Sequence, residues 1–219
     1  MHVEIPKVLL ALRDHTIDTY LEDEEYIEEK YLCDIHLPTG KIIANDPLCM
    51  YEFPVLSNTL LPGKYPVYIY IHHIQTDQRV AFAEIRIQDT LPQYYEVAGN
   101  YGVDSATGCY MDASLAEVYK DYSKEQVESS SQTLSTLLEE TYTHTYSTCN
   151  YTLDTANIVA FSTGYGDGEY TCYFGYDSNQ KICTLITYFD TLEEIEEVEA
   201  IQISEEEKQR MICKYKLER

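Results

Sequence analysis

The sequence predicts a mainly β (α+β) protein, folded as an antiparallel two-sheet sandwich or rolled sheet with peripheral helices. Strand-like runs clearly outnumber helical patterns, and they lack the regular strand–helix–strand alternation of a parallel sheet. The chain has 22 tyrosines and no tryptophan, and tyrosine favours strands and half-buried surfaces. Its 219 residues, 44% of them hydrophobic, are enough for one substantial core. We therefore expect a single domain over residues 1–219.

The N-terminal segment, residues 1–31, is expected to be helical. From about residue 13 onward, apolar residues recur at three- and four-residue spacings with acids between them. The residues that carry this pattern are Ile17, Tyr20, Leu21, Ile27 and Tyr31. A β core is expected to follow over residues 32–190.

The β core is predicted to begin with two short strands, at residues 32–36 and 41–44. A turn at Pro38-Thr39-Gly40 separates them, and Asn45-Asp46-Pro47 then breaks the regular pattern.

The clearest hairpin joins residues 65–74 to residues 79–88. One face of the pair is aliphatic and consists of Val67, Ile69, Ile71, Ala83, Ile85 and Ile87. The other face carries aromatic and charged side chains, namely Tyr68, Tyr70, His72, Phe82, Glu84 and Arg86. A three-residue loop at residues 76–78 pairs Ile71 with Ala83, whereas a two-residue loop would place Ile69 opposite Glu84. Because register follows the buried face, we predict the three-residue loop.

The rest of the core is predicted to be a series of short strands. Two of them, within residues 99–112, flank a turn at residues 105–108, and others are expected at 157–162, 169–175 and 181–189. Residues 113–142 are predicted to be a helical, Ser/Thr-rich insertion. Residues 191–219 form an acidic C-terminal segment with a predicted helix at 205–216. No internal repeat is visible in the sequence.

Charge limits the class of partner. Lys and Arg total 15 against 38 Asp and Glu, a net charge of −23. Nucleic acid and anionic membranes attract basic surfaces, so neither is expected as a partner. A basic protein fits, because complementary charge speeds association, although the acid would also serve solubility alone. The acids concentrate at residues 22–29 and 193–207, where interspersed apolar residues indicate solvated faces of ordered elements. The oligomeric state is left open.

Seven cysteines, an odd number without a Cys-x-x-Cys pair, indicate reduced thiols. The N-terminus lacks the basic region of a secretory signal, and the apolar run at residues 8–12 is too short to span a membrane. These features predict a cytoplasmic protein whose cysteines are mostly small buried hydrophobic residues.

A family resemblance is carried by segments spread over roughly residues 30–190. They are Ala44-Asn45-Asp46-Pro47-Leu48, Leu61–Val67, Arg79–Ala83, Tyr101–Asp112 and Gly164–Tyr170. In this order they resemble the domain-of-unknown-function 4241 family, whose members are mostly bacterial. The chain departs from the family at Ser105-Ala106, where a small residue and Gly are expected, which leaves the turn type open. The resemblance implies no established activity. No cofactor is predicted.

The motif residues that would build a site are Asp104, Gly108, Cys109, Asp112, Gly166, Asp167 and Gly168. Gly166-Asp167-Gly168 suits a hairpin turn better than a phosphate loop, because a strand and not a helix follows it. Asp104, Asp112 and Asp167 would hold a divalent cation if they converged, but each also suits a turn or a helix cap.

Two further candidates are weaker. His72 and His73 are adjacent in a predicted strand, so their rings face opposite sides and do not form a metal pair. Cys109 would act as a nucleophile only if His72 or His144 approached it, and a buried free thiol is the commoner case.

The sequence therefore supports two functional hypotheses. The first is a cytosolic, non-catalytic, acidic protein-binding domain, with an immunity-like, toxin-neutralising role as one concrete form. Its binding face would consist of Tyr68, Tyr70, His72, Glu84 and Arg86. The alternative is a metal-dependent hydrolase built on Asp104, Asp112 and Asp167.

Overall fold

The computed structural model describes residues 5–49, 52–119 and 133–192. Within these residues the chain forms two antiparallel sheets, one of six strands and one of five, which confirms the predicted two-sheet, mainly β class. The strands are β1 (Tyr26–Leu37), β2 (Lys41–Asn45), β3 (Val55–Thr59), β4 (Gly63–Ile74), β5 (Asp77–Arg86), β6 (Tyr94–Val103), β7 (Thr107–Asp112), β8 (Thr148–Leu153), β9 (Ala156–Ser162), β10 (Gly168–Tyr176) and β11 (Ile182–Tyr188). The helical elements are α1 (Lys7–Arg13), a 3₁₀ turn (Ile17–Tyr20), α2 (residues 115–119) and α3 (Leu134–Thr141).

The main core lies between the two sheets. The six-stranded sheet has the order β1-β4-β5-β11-β10-β6, and the five-stranded sheet has the order β3-β2-β7-β9-β8. Alternate residues of both sheets point into the space between them, where Phe161, Phe174 and Ile69 are fully buried. Burial of these side chains supplies most of the driving force for stacking the sheets.

Helices cover the outer face of each sheet. Val8 and Leu9 of α1 pack on Phe82 and Tyr188 of the six-stranded sheet. Leu134 and Leu138 of α3, with Leu115 of α2, belong to a cluster on the five-stranded sheet. Strands such as β5 and β7 are therefore buried on both faces.

The strand order is the same from either edge, as in a pseudo-twofold arrangement. In the six-stranded sheet β1-β4-β5 meets β11-β10-β6, and in the five-stranded sheet β3-β2 meets β7-β9. The five strands β1 to β5 thus correspond to β6, β7, β9, β10 and β11. Strand β8 has no counterpart. In sequence it lies with α2 and α3 between β7 and β9, whereas in the sheet it forms the edge beside β9. The predicted insertion at residues 113–142 therefore falls within the second half of the molecule.

The strand registers agree with this correspondence. Strand β1 has a bulge between Tyr31 and Cys33, and β6 has one at the equivalent place, between Val97 and Gly99. Beyond the bulges, Ile35 pairs with Tyr65 in the first half, and Tyr101 pairs with Tyr170 in the second. The two halves meet at the pairs Ala44–Tyr110 and Glu84–Ile186, which mark the position of the pseudo-twofold axis. The backbone therefore contains a repeat that is not visible in the sequence.

Four short connections carry the chain between the sheets, and they meet in equivalent pairs. Leu60 N donates to Gly40 O at 2.8 Å in the first half, and Thr163 N donates to Ala106 O at 3.2 Å in the second. The turn at residues 166–168 is thus a crossing from β9 to β10 in the other sheet. The predicted hairpin turn there is wrong, because β9 and β10 do not pair.

Each crossing back to the six-stranded sheet ends in Gly-x-Tyr. The Tyr65 hydroxyl donates to Leu61 O at 2.6 Å, and the Tyr170 hydroxyl donates to Gly166 O at 2.8 Å. In both cases the acceptor lies four residues earlier in the chain, as in the tyrosine corners of other sandwiches.

The β4–β5 hairpin confirms the predicted faces but not the predicted loop. The turn is the two residues Gln75-Thr76, and Ile69, not Ile71, pairs with Ala83. A bulge between the Tyr70–Phe82 and Ile71–Val80 pairs inserts Ala81 and restores the phase of the two strands. The aliphatic residues therefore still face the core.

The N-terminal prediction holds only in part. Residues 7–13 and 17–20 are helical, but residues 26–31 begin β1 and pair with β4. The expected helix at 205–216, the acidic run at 193–207 and part of the Ser/Thr-rich insertion lie outside the described residues.

Two further findings concern the described part of the chain. None of its helices is long and apolar enough to cross a membrane. The six cysteines that it contains are free thiols, and Cys213 lies outside it.

Candidate functional site

Asp46 fastens the loop after β2 to the turn between β6 and β7. Its side chain is buried, with the residue 2% exposed. Its carboxylate accepts five hydrogen bonds of 2.7–3.0 Å, from the backbone N–H groups of Leu48, Cys49, Asp104 and Ser105 and from the Ser105 hydroxyl. Backbone donors of this kind satisfy a buried carboxylate without a counter-ion. We call this arrangement the Asp46 clasp.

Asp112 forms the equivalent contact at the other end of the five-stranded sheet. It accepts hydrogen bonds from Thr39 N (3.0 Å), from the Thr39 hydroxyl (2.9 Å) and from Ser114 N (2.8 Å). Thr39 stands in the β1–β2 turn where Ser105 stands in the β6–β7 turn, so each half of the molecule holds the turn of the other. We call this the Asp112 clasp.

The three motif aspartates do not converge. Asp104 and Asp167 are exposed near the Asp46 clasp, where Asp167 Oδ1 accepts Ala106 N at 2.9 Å. Asp112 lies at the far end of β7, about 15 Å away along a strand that rises about 3.3 Å per residue. The described residues contain no group of three or more His, Cys, Asp or Glu placed to hold a metal ion. Asp104, Asp112 and Asp167 therefore do not form the metal site that the hydrolase alternative requires.

The remaining motif residues have structural surroundings. A Cβ on Gly108 would lie 2.7 Å from the Tyr101 hydroxyl, so glycine permits close packing there. Cys109 is fully buried, and burial raises the pKa of its thiol. It lies in the cluster on the five-stranded sheet, whereas His72 contacts Glu25 beside the six-stranded sheet, so the two do not meet. Gly166 has φ +119, a conformation that glycine tolerates, and Gly168 packs against the Tyr170 ring.

The proposed binding face lies on the outer side of the six-stranded sheet and is largely covered. Tyr70, His72 and Glu84 are buried at 7%, 3% and 7% exposure, while Tyr68 and Arg86 are half-buried. Tyr68 and Tyr70 belong to, or pack against, the cluster beneath α1. The alternation of the hairpin placed these residues on one face correctly, but it did not show that the N-terminal arm covers that face.

Three of these residues, Tyr70, Glu84 and Arg86, form a polar network centred on Glu84. The Glu84 carboxylate accepts the Tyr70 hydroxyl (2.6 Å), Arg86 Nη2 (2.9 Å) and the Thr184 hydroxyl (2.7 Å). Arg86 also pairs with Glu29 at 3.0 Å and lies over the Tyr68 ring at 3.9 Å. Burial, with the Glu84 charge, raises the pKa of Tyr70 far above its usual range. Although burial alone would lower the pKa of Arg86, its bonds to Glu84 and Glu29 raise it.

A cleft of about 330 Å³ opens beside this network. It is lined by Leu12 and Arg13 of α1, by residues 88–92, and by Tyr95 and Glu84 among others. Arg13 is engaged by Asp14 (2.7 Å) and by Gln93 O (3.0 Å). Four charged groups of the lining, those of Arg13, Glu29, Glu84 and Arg86, are thus engaged in ion pairs within the protein.

Sequence reasoning missed Asp46 and its contacts, although Asp46 lies within a segment that carries the family resemblance. A local signal existed in Asn45-Asp46-Pro47, since Asp before Pro favours a turn that its carboxylate can cap. The partner turn at residues 104–106 is too distant in sequence for any spacing rule to predict.

Comparison with known proteins gives one family. The model of the family described as "Protein of unknown function (DUF4241)" matches residues 35–187, which is more than half of the chain. No curated protein matches, and no solved structure matches. The matched range includes both clasps and the crossings between the sheets. The chain therefore belongs to the DUF4241 family.

Proposed function

We propose that the protein is a non-catalytic, cytoplasmic binding protein whose acidic surface recognises a basic protein. Toxin neutralisation is one concrete form of this function. An acidic immunity protein can block a basic nuclease by mimicking the negative charge of its nucleic-acid substrate. Exposed acids anywhere on the surface could contribute to this recognition, and the cleft is not required for it.

The proposal rests on the division of the carboxylates into a few buried, hydrogen-bonded groups and many exposed ones. Among the described residues the buried carboxylates are those of Asp46, Glu84, Asp112 and Asp177. All four accept hydrogen bonds from the protein itself. The other described acids are exposed, except for half-buried Glu25 and Asp77. Buried acids thus serve the fold, and exposed acids supply a field that attracts basic partners.

The test begins with the full chain as bait in a lysate of its source organism, followed by reconstitution with the purified partner. We expect a partner with an isoelectric point above about 9. Its affinity should fall at least about tenfold between about 50 and 300 mM salt, because screening weakens exposed charge pairs. A toxin gene beside the gene of this protein would favour the toxin-neutralising form.

Stoichiometry separates binding from catalysis. If the partner is a toxin, neutralisation should need an equimolar amount of the protein and should reverse on dilution. Neutralisation by a small fraction of an equivalent would indicate turnover and would overturn the proposal. An acidic partner, or one bound equally well at both salt concentrations, would also contradict it.

A further inference from the structure

Strand β1 has an open edge over its first half. It lies at the edge of the six-stranded sheet, where its inner side pairs with β4. Apart from that ladder, the backbone of residues 26–31 takes part in none of the hydrogen bonds found in the described part of the chain. An edge of this kind presents N–H and C=O groups that another strand can pair with.

The second half of the same edge is already occupied. Asn157 Oδ1 accepts His36 N at 2.8 Å, and Asn157 Nδ2 donates to Asp34 O at 2.9 Å. The amide side chain thus bonds the edge as a neighbouring strand would. As far as the described residues show, residues 26–31 are the part of this edge that remains open to a partner.

The side chains along the open edge define the chemistry of that partner. Residues 22–31 contain six carboxylates and one lysine. Tyr26 and Tyr31 are 52% and 53% exposed at the two ends of the open segment. Three of the acids contact basic side chains of the sheet, namely Glu25 with His72, Glu28 with His73 and Glu29 with Arg86. The exposed Glu22, Asp23 and Glu24 extend the negative field beyond them.

We propose that the β1 edge at residues 26–31 binds an extended basic segment of the partner as an added strand. Lysine or arginine of that segment would face Glu28 and Glu29, since opposite charges on neighbouring strands attract. The Tyr26 and Tyr31 rings would contact its ends, and tyrosine faces attract cations. A second copy of this chain does not fit, because its own acidic edge would be repelled. The inference rests on the proposed function and gives it a surface.

Strand β6 provides an internal control. It is the other edge of the same sheet and is equivalent to β1 in bulge and register. The positions that correspond to residues 28–31 are residues 94–97, which contain a single acid, Glu96. Charge and strand geometry can therefore be separated within one molecule.

The experiment measures hydrogen exchange of the full chain with a blocked peptide of about eight residues that alternates Lys and Val. Two control peptides replace Lys by Glu or place proline at the centre of the basic peptide, since proline interrupts a ladder. We expect the basic peptide to slow exchange of amides in residues 26–31 by about tenfold and to leave residues 94–97 unchanged. The acidic peptide should have no effect, and the proline peptide should bind more weakly.

Charge reversal at the edge provides the matched test. Glu28→Lys should weaken binding of the basic peptide by about fivefold or more, whereas Glu139→Lys, an equal change on exposed α3, should not. Equal protection of both edges, or equal effects of the two variants, would overturn the edge assignment. If a basic protein partner binds but residues 26–31 exchange as before, the proposed function stands and this inference fails. If no basic partner or peptide binds even at low salt, both fail.

Discussion

The two clasps hold equivalent turns with different residues. In the first half the turn residue is Gly40 with φ +70, and in the second half it is Ala106 with φ +54. Asp112 holds the first turn through the N–H and hydroxyl groups of Thr39, whereas Asp46 holds the second through the N–H groups of Asp104 and Ser105 and the Ser105 hydroxyl. Ala106 occupies the position where the family resemblance leads one to expect glycine.

The difference shows how a strained turn is tolerated. A left-handed conformation costs alanine about 1 kcal/mol, while glycine adopts it readily. The second turn carries that cost and has the larger set of hydrogen bonds, including the one from Ala106 N to Asp167. We interpret the additional bonds as the compensation for a missing glycine.

The largest effect is expected at Asp46. Asp46→Ala removes the acceptor of four backbone N–H groups and one hydroxyl at a buried site. We expect the free energy of unfolding to fall by about 4 kcal/mol in urea denaturation. Asp46→Asn keeps one acceptor oxygen and should cost about half as much. A loss below about 1 kcal/mol would show that water replaces the carboxylate.

Gly40→Ala should be the next most damaging change. Its Cβ would lie 2.0 Å from the backbone oxygen of Leu60, which cannot move without opening the crossing. We expect a cost of about 3 kcal/mol by the same measurement. Gly102→Ala is the matched control, because nothing lies within 4 Å of its Cβ. Equal stability of the two variants would mean that the first turn relaxes freely.

Asp112→Ala should cost less than Asp46→Ala, about 2 kcal/mol, because fewer donors lose their acceptor. Combining it with Thr39→Ala tests the contact between the halves. The double variant should be about 1 kcal/mol more stable than the sum of the single losses predicts. Strict additivity would show that Thr39 and Asp112 do not act together.

The two tyrosine corners should differ more modestly. Tyr170→Phe should cost about 1 kcal/mol, and Tyr65→Phe somewhat less, because Tyr65 is the more exposed. Burial raises the pKa of both hydroxyls. An unfolded tyrosine loses its proton near pH 10 while the folded one keeps it, so wild-type stability should fall as the pH rises above about 10. In each Phe variant the stability should fall less steeply with pH than in the wild type. Identical pH dependence of stability in variant and wild type would show that the tyrosine hydroxyl does not stabilise the corner.

The smallest effect has the opposite sign. Ala106→Gly relieves the left-handed alanine and should stabilise the protein by about 0.5 kcal/mol, the gain being reduced by the greater freedom of the unfolded chain. Thermal unfolding would detect it as a small upward shift in Tm. A destabilised Ala106→Gly variant would show that the second turn is not strained and would remove the contrast between the clasps.

Alternation predicted the faces of the strands well, because a residue period of two follows from backbone geometry. It placed the aliphatic face of β4 and β5 in the core, but it could not locate the bulge at Ala81. Residues 80–83 are all apolar and are buried on both sides of the sheet. Their sequence therefore does not show which of them faces which side. The start of β1 was predicted to be helical because its irregularly spaced apolar residues fit the period of a helix as well as that of a strand. Pairing with β4 makes it a strand.

The clasps and the Glu84 network could not be predicted from local patterns. Asp46 and Ser105, or Glu84 and Thr184, are brought together only by the strand order. An acid within a run as apolar as Val80–Ile85 was nevertheless a signal that a buried charge would need partners. Motif residues such as Asp112 and Asp167 were identified as candidates for a metal site. In the structure their carboxylates instead accept hydrogen bonds that hold the connections between the two sheets.

The pseudo-twofold arrangement also governs the order of events during synthesis. Strands β2 and β5 find their central neighbours, β7 and β11, only in the second half of the chain. Contacts of such long sequence separation form slowly. The nascent first half therefore emerges with two open strand edges, a state prone to aggregation. The acidic residues 22–29 are made before any strand of that sheet is complete, so we expect the repulsion between their like charges to oppose association of incomplete chains.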